Sequence, residues 1–267
     1  MIPPDNFLSK SKTLASLGLI TLGLFLAPQS AQAVSLIPLT SVDANPGFDD
    51  IDFNLLLDNR DFTELFVAEG RIGNNAIGGD RELGINRDVR ATSNPGLAVA
   101  QGQYNWGRGI LSDFTLAYTG NQVTFSVSRA GITPVVLSTT AFSGDINHIF
   151  LRTFAQGGRP IDDNNFLGLS GLSLNGTAIP NISSLGTTSS RDVDYIAIGD
   201  VPTNFILTGQ AEFDWDGNRP TGSNLAFQIK VGNSRRVPEP SILGAILTTT
   251  IAGSFLGYKK KVASQQA

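Results

Sequence analysis

The chain is 267 residues long, has no cysteine and a single histidine, and carries 19 basic against 23 acidic side chains. Without cysteine, thiol catalysis, cysteine zinc sites and iron–sulfur centres are excluded, and the fold must stand on packing alone. Between Val34 and Arg236 there are 21 acidic and 14 basic residues, a net charge of about minus seven that disfavours nucleic acid as a partner, because a phosphate backbone needs a basic footprint.

In chain order, Lys10 and Lys12 form a basic start, Leu14 to Ala27 an apolar core, and Ala31-Gln32-Ala33 a small-x-small cleavage site. This predicts a signal peptide over residues 1–33, with a signal helix too short for a permanent span and a mature chain that begins at Val34. The next 200 or so residues, 34–236, are long enough for one domain with its own core.

Acidic clusters occur in it at Asp49-Asp50-Ile-Asp52, Asp162-Asp163-Asn164-Asn165, Asp192-Val-Asp194 and Asp214-Trp-Asp-Gly-Asn218. Each reads either as a solvated loop or as oxygen ligands for calcium, and Asp214, Asp216 and Asn218, at alternating positions, are the first choice for a structural calcium ion. Gly70-Arg-Ile-Gly73 with the later Gly78-Gly79 does not make a dinucleotide-binding fingerprint. Tyr104 and Trp106 sit in a Gly- and Asn-rich stretch, which suits either a loop platform for stacking sugars or strand packing.

Phe114 to Tyr118 and Val123 to Val127, joined by Thr119-Gly-Asn-Gln122, form the best hairpin in the chain. His148 to Arg152, Tyr195 to Ile198 and Leu225 to Ile229 are further short apolar or alternating runs, separated by Gly- and Asn-containing turns such as Ser143-Gly-Asp145, Asn175-Gly176 and Asp216-Gly-Asn218. Helical periodicity is hard to find. Ten to twelve strands at this spacing predict an all-β fold, a two-sheet antiparallel sandwich or jelly roll, without internal repeats.

His148 lies in an apolar strand, and no GxSxG elbow supplies it with a nucleophile, so it reads as structural or as an edge residue. Glu212-Phe-Asp-Trp-Asp216 places its three acids on one strand face. The pattern is similar to the acidic strand of laminarinase-like sandwich hydrolases, but its last acid is the shorter Asp216, which leads into a Gly217-Asn218 turn. An outward acidic face with Phe213 and Trp215 buried fits that better.

The chain closes with Val237-Pro-Glu-Pro240, the uncharged stretch Ser241 to Tyr258, and Lys259, Lys260 and Lys261. Prolines that keep the backbone extended, an 18-residue apolar segment and a basic stop predict one transmembrane helix with its lysines in the cytoplasm. Residues 237–261 resemble the PEP-CTERM sorting signal of Gram-negative bacteria. That resemblance implies recognition at Pro238, Glu239 and Pro240 by the membrane protease-transpeptidase exosortase, and removal of the tail. The stretch from Phe114 to Val127 with Ile149 to Arg152 resembles a lectin-like sandwich of the laminin-G or concanavalin kind. The exported region as a whole resembles the choice-of-anchor domains, the type W group among them.

Three function classes follow. The leading expectation is a non-enzymatic surface or extracellular-matrix protein, exported, held transiently in the inner membrane and then sorted, with exosortase, the export machinery and extracellular polysaccharide as partners and no cofactor beyond the calcium candidate. A carbohydrate-binding module comes second, and would need a concave sheet face lined with aromatic and amide side chains. A glycan hydrolase using Glu212 and Asp214 comes third.

Overall fold

The computed structural model describes residues 34–74, 80–87, 89–90, 96–157, 164–187 and 190–235. The signal peptide with Ala31 and Ala33, the sorting motif Val237 to Pro240, the apolar span and Lys259 to Lys261 lie outside the described residues. Among the described residues, no helix is long and apolar enough to cross a membrane.

Among the described residues fourteen strands and one helix follow one another in the order β1 (Ser35–Ile37), α1 (Asp50–Asp58), β2 (Phe62–Arg71), β3 (Leu83–Arg87), β4 (Leu97–Gly102), β5 (Ser112–Thr119), β6 (Val123–Arg129), β7 (Ile132–Thr139), β8 (His148–Gln156), β9 (Asn165–Leu174), β10 (Thr177–Ala178), β11 (Ile182–Gly186), β12 (Arg191–Gly199), β13 (Asn204–Trp215) and β14 (Leu225–Ser234). They build two antiparallel seven-stranded sheets. The first has the order β1-β12-β8-β14-β2-β3-β4; the second runs β10-β9-β13-β5-β6-β7, with β11 also paired to β9. The strand count exceeds the ten to twelve expected, because short strands such as β1, β10 and β11 contribute only two to five residues each.

The inner faces of the two sheets share one core, with Phe66, Ile85, Leu151, Phe227 and Ile229 from the first and Phe114, Leu116, Phe125, Leu169 and Phe213 from the second. On the second sheet the opposite face is open to solvent, which gives β5 and β13 a clean alternation of buried and outward residues. The first sheet is covered on both faces at its centre. β14 is buried from Leu225 through Gly232 and β8 from His148 through Thr153, and this explains why those segments read as apolar runs. The cover is a second small core in which Phe53 of α1 packs with Phe62, Phe150 and Ala197, with Phe48, Leu56 and Tyr195 at its margin.

Helix α1 corrects the reading of its acidic cluster. Asp49 is the N-cap, accepting hydrogen bonds from the Ile51 and Asp52 amides, and Asp52 accepts in return from the Asp49 amide at 2.9 Å. Asp52 also receives the Val42 and Asp43 amides at 2.5 and 2.9 Å, so this buried carboxylate ties the N-terminal segment to the helix. An Asp-x-x-Asp capping box ahead of an apolar Phe-Asn-Leu-Leu-Leu stretch was the available sequence signal.

The expected hairpin is present as β5–β6, paired from Asp113 with Ser128 to Tyr118 with Val123. At the β9–β10 turn Asn175 and Gly176 both take positive φ, of 50° and 85°, as a two-residue hairpin loop demands.

Candidate functional site

Several of the described residues singled out in the sequence pack or pair within the protein itself. Tyr104 and Trp106 are 3% and 2% exposed, which corrects the sugar-platform alternative: a ring must be exposed to stack on a ligand. Trp106 lies 4.2 Å from Phe213 and 4.6 Å from Tyr104, centroid to centroid, and its Nε1 donates to the Arg71 carbonyl at 2.9 Å. The Tyr104 hydroxyl bonds the buried Ser112 hydroxyl at 3.1 Å, so both polar tips are satisfied inside the core.

Phe213 and Trp215 point into the core, while Glu212 and Asp214 face outward. The Arg108 guanidinium spans the acids of that strand end, 3.4 Å from Asp214 Oδ1 and 3.2 Å from Asp216 Oδ1. Asn164 donates to the other Asp216 oxygen at 3.0 Å, and Asn218 lies exposed beyond the Gly217 turn. The cation among these carboxylates is therefore an arginine of the chain itself, and the described residues hold no group of three or more acidic or histidine side chains arranged for a metal ion.

His148 is 2% exposed at the start of β8, a central rather than an edge strand, with Nδ1 2.7 Å from Asn147 Oδ1. Burial pushes its imidazole below the ordinary value and Asp200 opposes this. Asp192 accepts from the Leu185 amide and Asp194 from the Ser184 hydroxyl, so this pair fastens β11 to β12. Burial, reinforced by the charge of Asp192, raises the Asp194 carboxyl above the usual range. Of the remaining cluster, Asp162 and Asp163 lie outside the described residues, and Asn165 is buried with its amide donating to the Gln156 carbonyl.

The polar site that the fold does assemble lies on the outer face of the first sheet. Tyr195 on β12, Arg152 on β8, Gln228 on β14 and Glu69 on β2 are register partners and so form one row across four strands. Next to it runs a less polar row of Val193, Phe154, Ala226 and Arg71, and beyond that stand Arg191 and Gln156, again paired. All of these but Tyr195 and Val193 line, together with Asp50 and the 222–224 turn, a cleft of about 420 Å³.

Its electrostatics are set by buried charges. Arg152 donates through Nε and Nη2 to the two oxygens of Asp50, both at 2.7 Å, and the Tyr195 hydroxyl donates to Asp50 Oδ1 at 2.7 Å. Burial disfavours the Asp50 carboxylate, but the Arg152 hydrogen bond and charge outweigh it and hold the group below its ordinary value. Arg152 is likewise raised: burial opposes its charge, and Asp50 more than compensates. The Tyr195 phenol is pushed well up by burial, to which the Asp50 charge adds.

Gln228 donates through Nε2 to Glu69 Oε2 at 3.0 Å, and Arg71 and Arg81 stand 3.7 and 3.6 Å from Glu69 Oε1. Arg71 is itself held by the Arg81 carbonyl at 2.9 Å and the Ser223 hydroxyl at 2.7 Å. Such a floor of fixed donors and acceptors suits recognition of a polar ligand by hydrogen bonds. Apart from Asp50, which belonged to an acidic cluster, none of the cleft's members stood out in the sequence as a site, because the rows are assembled from four separate strands.

No protein-family model matches the chain, and no curated protein matches it either.

Proposed function

We propose that the chain is an exported, surface-sorted protein of a Gram-negative envelope, a non-catalytic β-sandwich that associates with extracellular polysaccharide after exosortase removes its tail. The carrying observation is the fit between the sandwich and the two end signals. The first strand begins at Ser35, directly after the expected mature start at Val34, and the last ends at Ser234, just before Val237. Both cuts would thus spare every strand among the described residues. Intact-mass and terminal-peptide analysis of protein recovered from its native cell surface tests this. The expected product starts at Val34 and lacks Ser241 to Lys261, whereas a retained tail would reduce the Pro-Glu-Pro motif to a plain anchor.

A second reading, a carbohydrate-binding module, is favoured by the amide- and arginine-lined cleft on the outer sheet face. A hydrolase centred on Glu212 and Asp214 gains no such support: the Asp214 side chain is 46% exposed and paired with Arg108.

A further inference from the structure

We propose that the cleft on the outer face of the first sheet binds an acidic saccharide, one that carries carboxylates as well as hydroxyls. The proposal deepens the carbohydrate-binding reading and rests on it.

Charge gives the first argument. Among the described residues, Arg71, Arg90, Arg152 and Arg191 line the cleft against Asp50 and Glu69, a local excess of two positive charges in a domain whose net charge is about minus seven. Asp50 answers Arg152, and Arg90 is paired outside the cleft with Asp58 at 2.6 Å. Arg191, exposed at the rim, has no ion pair among the described residues. An anionic group entering at the rim meets a guanidinium whose planar fork matches a carboxylate.

Unmet acceptors give the second. Gln228 is 6% exposed, and because its Nε2 is committed to Glu69 its Oε1 must point elsewhere, where no donor of the described protein reaches it. Glu69, 5% exposed, has its Oε1 in the same condition: the two arginines beside it stand beyond hydrogen-bond distance. Native structures leave few buried acceptors without a donor. Both residues line the cleft. A fully ionised phosphate or sulfate offers no donor to satisfy them, whereas sugar hydroxyls do.

Layout joins the two. The acceptor row and the Arg191–Gln156 row flank a middle row in which half-buried Phe154 and buried Ala226 form an apolar floor, with the Arg152 guanidinium 5.0 Å from the Phe154 ring centroid. Next-nearest residues of a strand are roughly 6.5–7 Å apart on one face, so the two polar rows stand about 13 Å from each other, with room for a sugar unit or two between them. The hydroxyls of such a ligand meet Gln228 and Glu69, its C–H face meets Phe154, and its carboxylate meets Arg191. Arg71 and Arg152 are already fixed by protein partners, so little ordering is needed on binding.

The test is titration calorimetry of the full-length chain with tetragalacturonate, with the same oligomer fully methyl-esterified, and with inorganic tripolyphosphate. We expect tetragalacturonate to bind at least ten times more tightly than either comparison ligand, and more weakly as salt rises. Gln228→Leu and Arg191→Glu should each weaken it at least tenfold. Arg191 is exposed, so its variant keeps the test decisive should the core-proximal Gln228→Leu fail to fold. Equal binding of the acid and its ester would overturn the acidic assignment alone. No binding of any saccharide would overturn the carbohydrate reading with it, and tripolyphosphate binding as tightly, with the same sensitivity to Arg191→Glu, would make the cleft a simple anion site. Unchanged affinity in both variants would place the ligand elsewhere. None of these results bears on the processing of the termini, which the mass analysis reads separately.

Discussion

Asp50→Ala is the substitution whose effect the structure fixes most closely. The Asp50 carboxylate receives three hydrogen bonds of 2.7 Å, two from Arg152 and one from Tyr195, and joins α1 to the outer face of β8 and β12. Asp50 is 3% exposed and Arg152 5%. Without the carboxylate, the guanidinium stays buried and loses its counterion, a change that costs about 3–5 kcal/mol. For a domain of this size each kcal/mol lowers the melting temperature by about 2–4 °C, so the drop should be about 6–20 °C. Urea unfolding followed by tryptophan fluorescence measures the free-energy loss, and a thermal melt the temperature drop. Combining Asp50→Ala with Arg152→Met should recover part of the loss, because the pair is then removed rather than broken. The pH dependence carries the same sign. The folded-state value of Asp50 is depressed, so its contribution is complete above the ordinary aspartate range and is lost as pH falls through the lower folded value. Acid unfolding below about pH 4 should therefore be blunted in Asp50→Asn relative to wild type. A stability change under about 1 kcal/mol in Asp50→Ala, or strictly additive effects in the double variant, would refute the coupling.

Two further outcomes follow from the core and the surface. Trp106→Ala should lose about 3–5 kcal/mol in the same urea assay, since it empties the space against Phe213, Tyr104 and Phe227 and leaves the Arg71 carbonyl without its indole donor. Arg108→Ala should cost less than about 1 kcal/mol, because both of its ion pairs are about half exposed. A melting temperature of the wild type that rises on adding calcium would show that a metal competes with Arg108 for Asp214 and Asp216, restoring the calcium reading that the geometry disfavours.

How much of this was legible in the sequence depends on whether a feature is local. The β5–β6 hairpin was, because its alternation and its Gly-Asn connection lie within eighteen residues. The alternation of Glu212 to Asp216 was, for the same reason. Tyr104 and Trp106 left two readings open: Gly and Asn neighbours suggest a loop, and the segment is indeed outside any strand, yet it turns inward to fill the core. Only the second sheet's position decides that. Helix α1 escaped notice because its nine residues are too short to display a period and its cap uses aspartates in place of the usual serine or threonine with glutamate. The cleft was not legible at all. Arg152 and Gln228 read as single polar interruptions of apolar strands, and their meeting depends on a sheet order that sets β12, β8, β14 and β2 side by side.

That sheet order also gives a physical account of why arginine, and not lysine, stands at positions 71 and 152 in a domain with thirteen arginines and one lysine between Val34 and Arg236. The outer face of the first sheet is charged and yet lies largely beneath α1 and its neighbouring segments, where each cation must satisfy several partners at once. Arg152 does so for both oxygens of Asp50 and stacks on Phe154; Arg71 ties a carbonyl, a hydroxyl and a carboxylate together. A planar fork with five donors does this where a point charge does not. Lys230 is the informative exception. It is fully buried, and among the described residues it meets the Glu64 carboxylate at 3.5 Å, the Val89 carbonyl at 3.2 Å and the ring of Phe53 at 4.6 Å, while burial lowers its ammonium below the ordinary value despite Glu64. At Arg71 and Arg152 several acceptors converge in a plane that suits a guanidinium, whereas the closed space between Glu64, the Val89 carbonyl and the Phe53 ring fits the compact ammonium of Lys230.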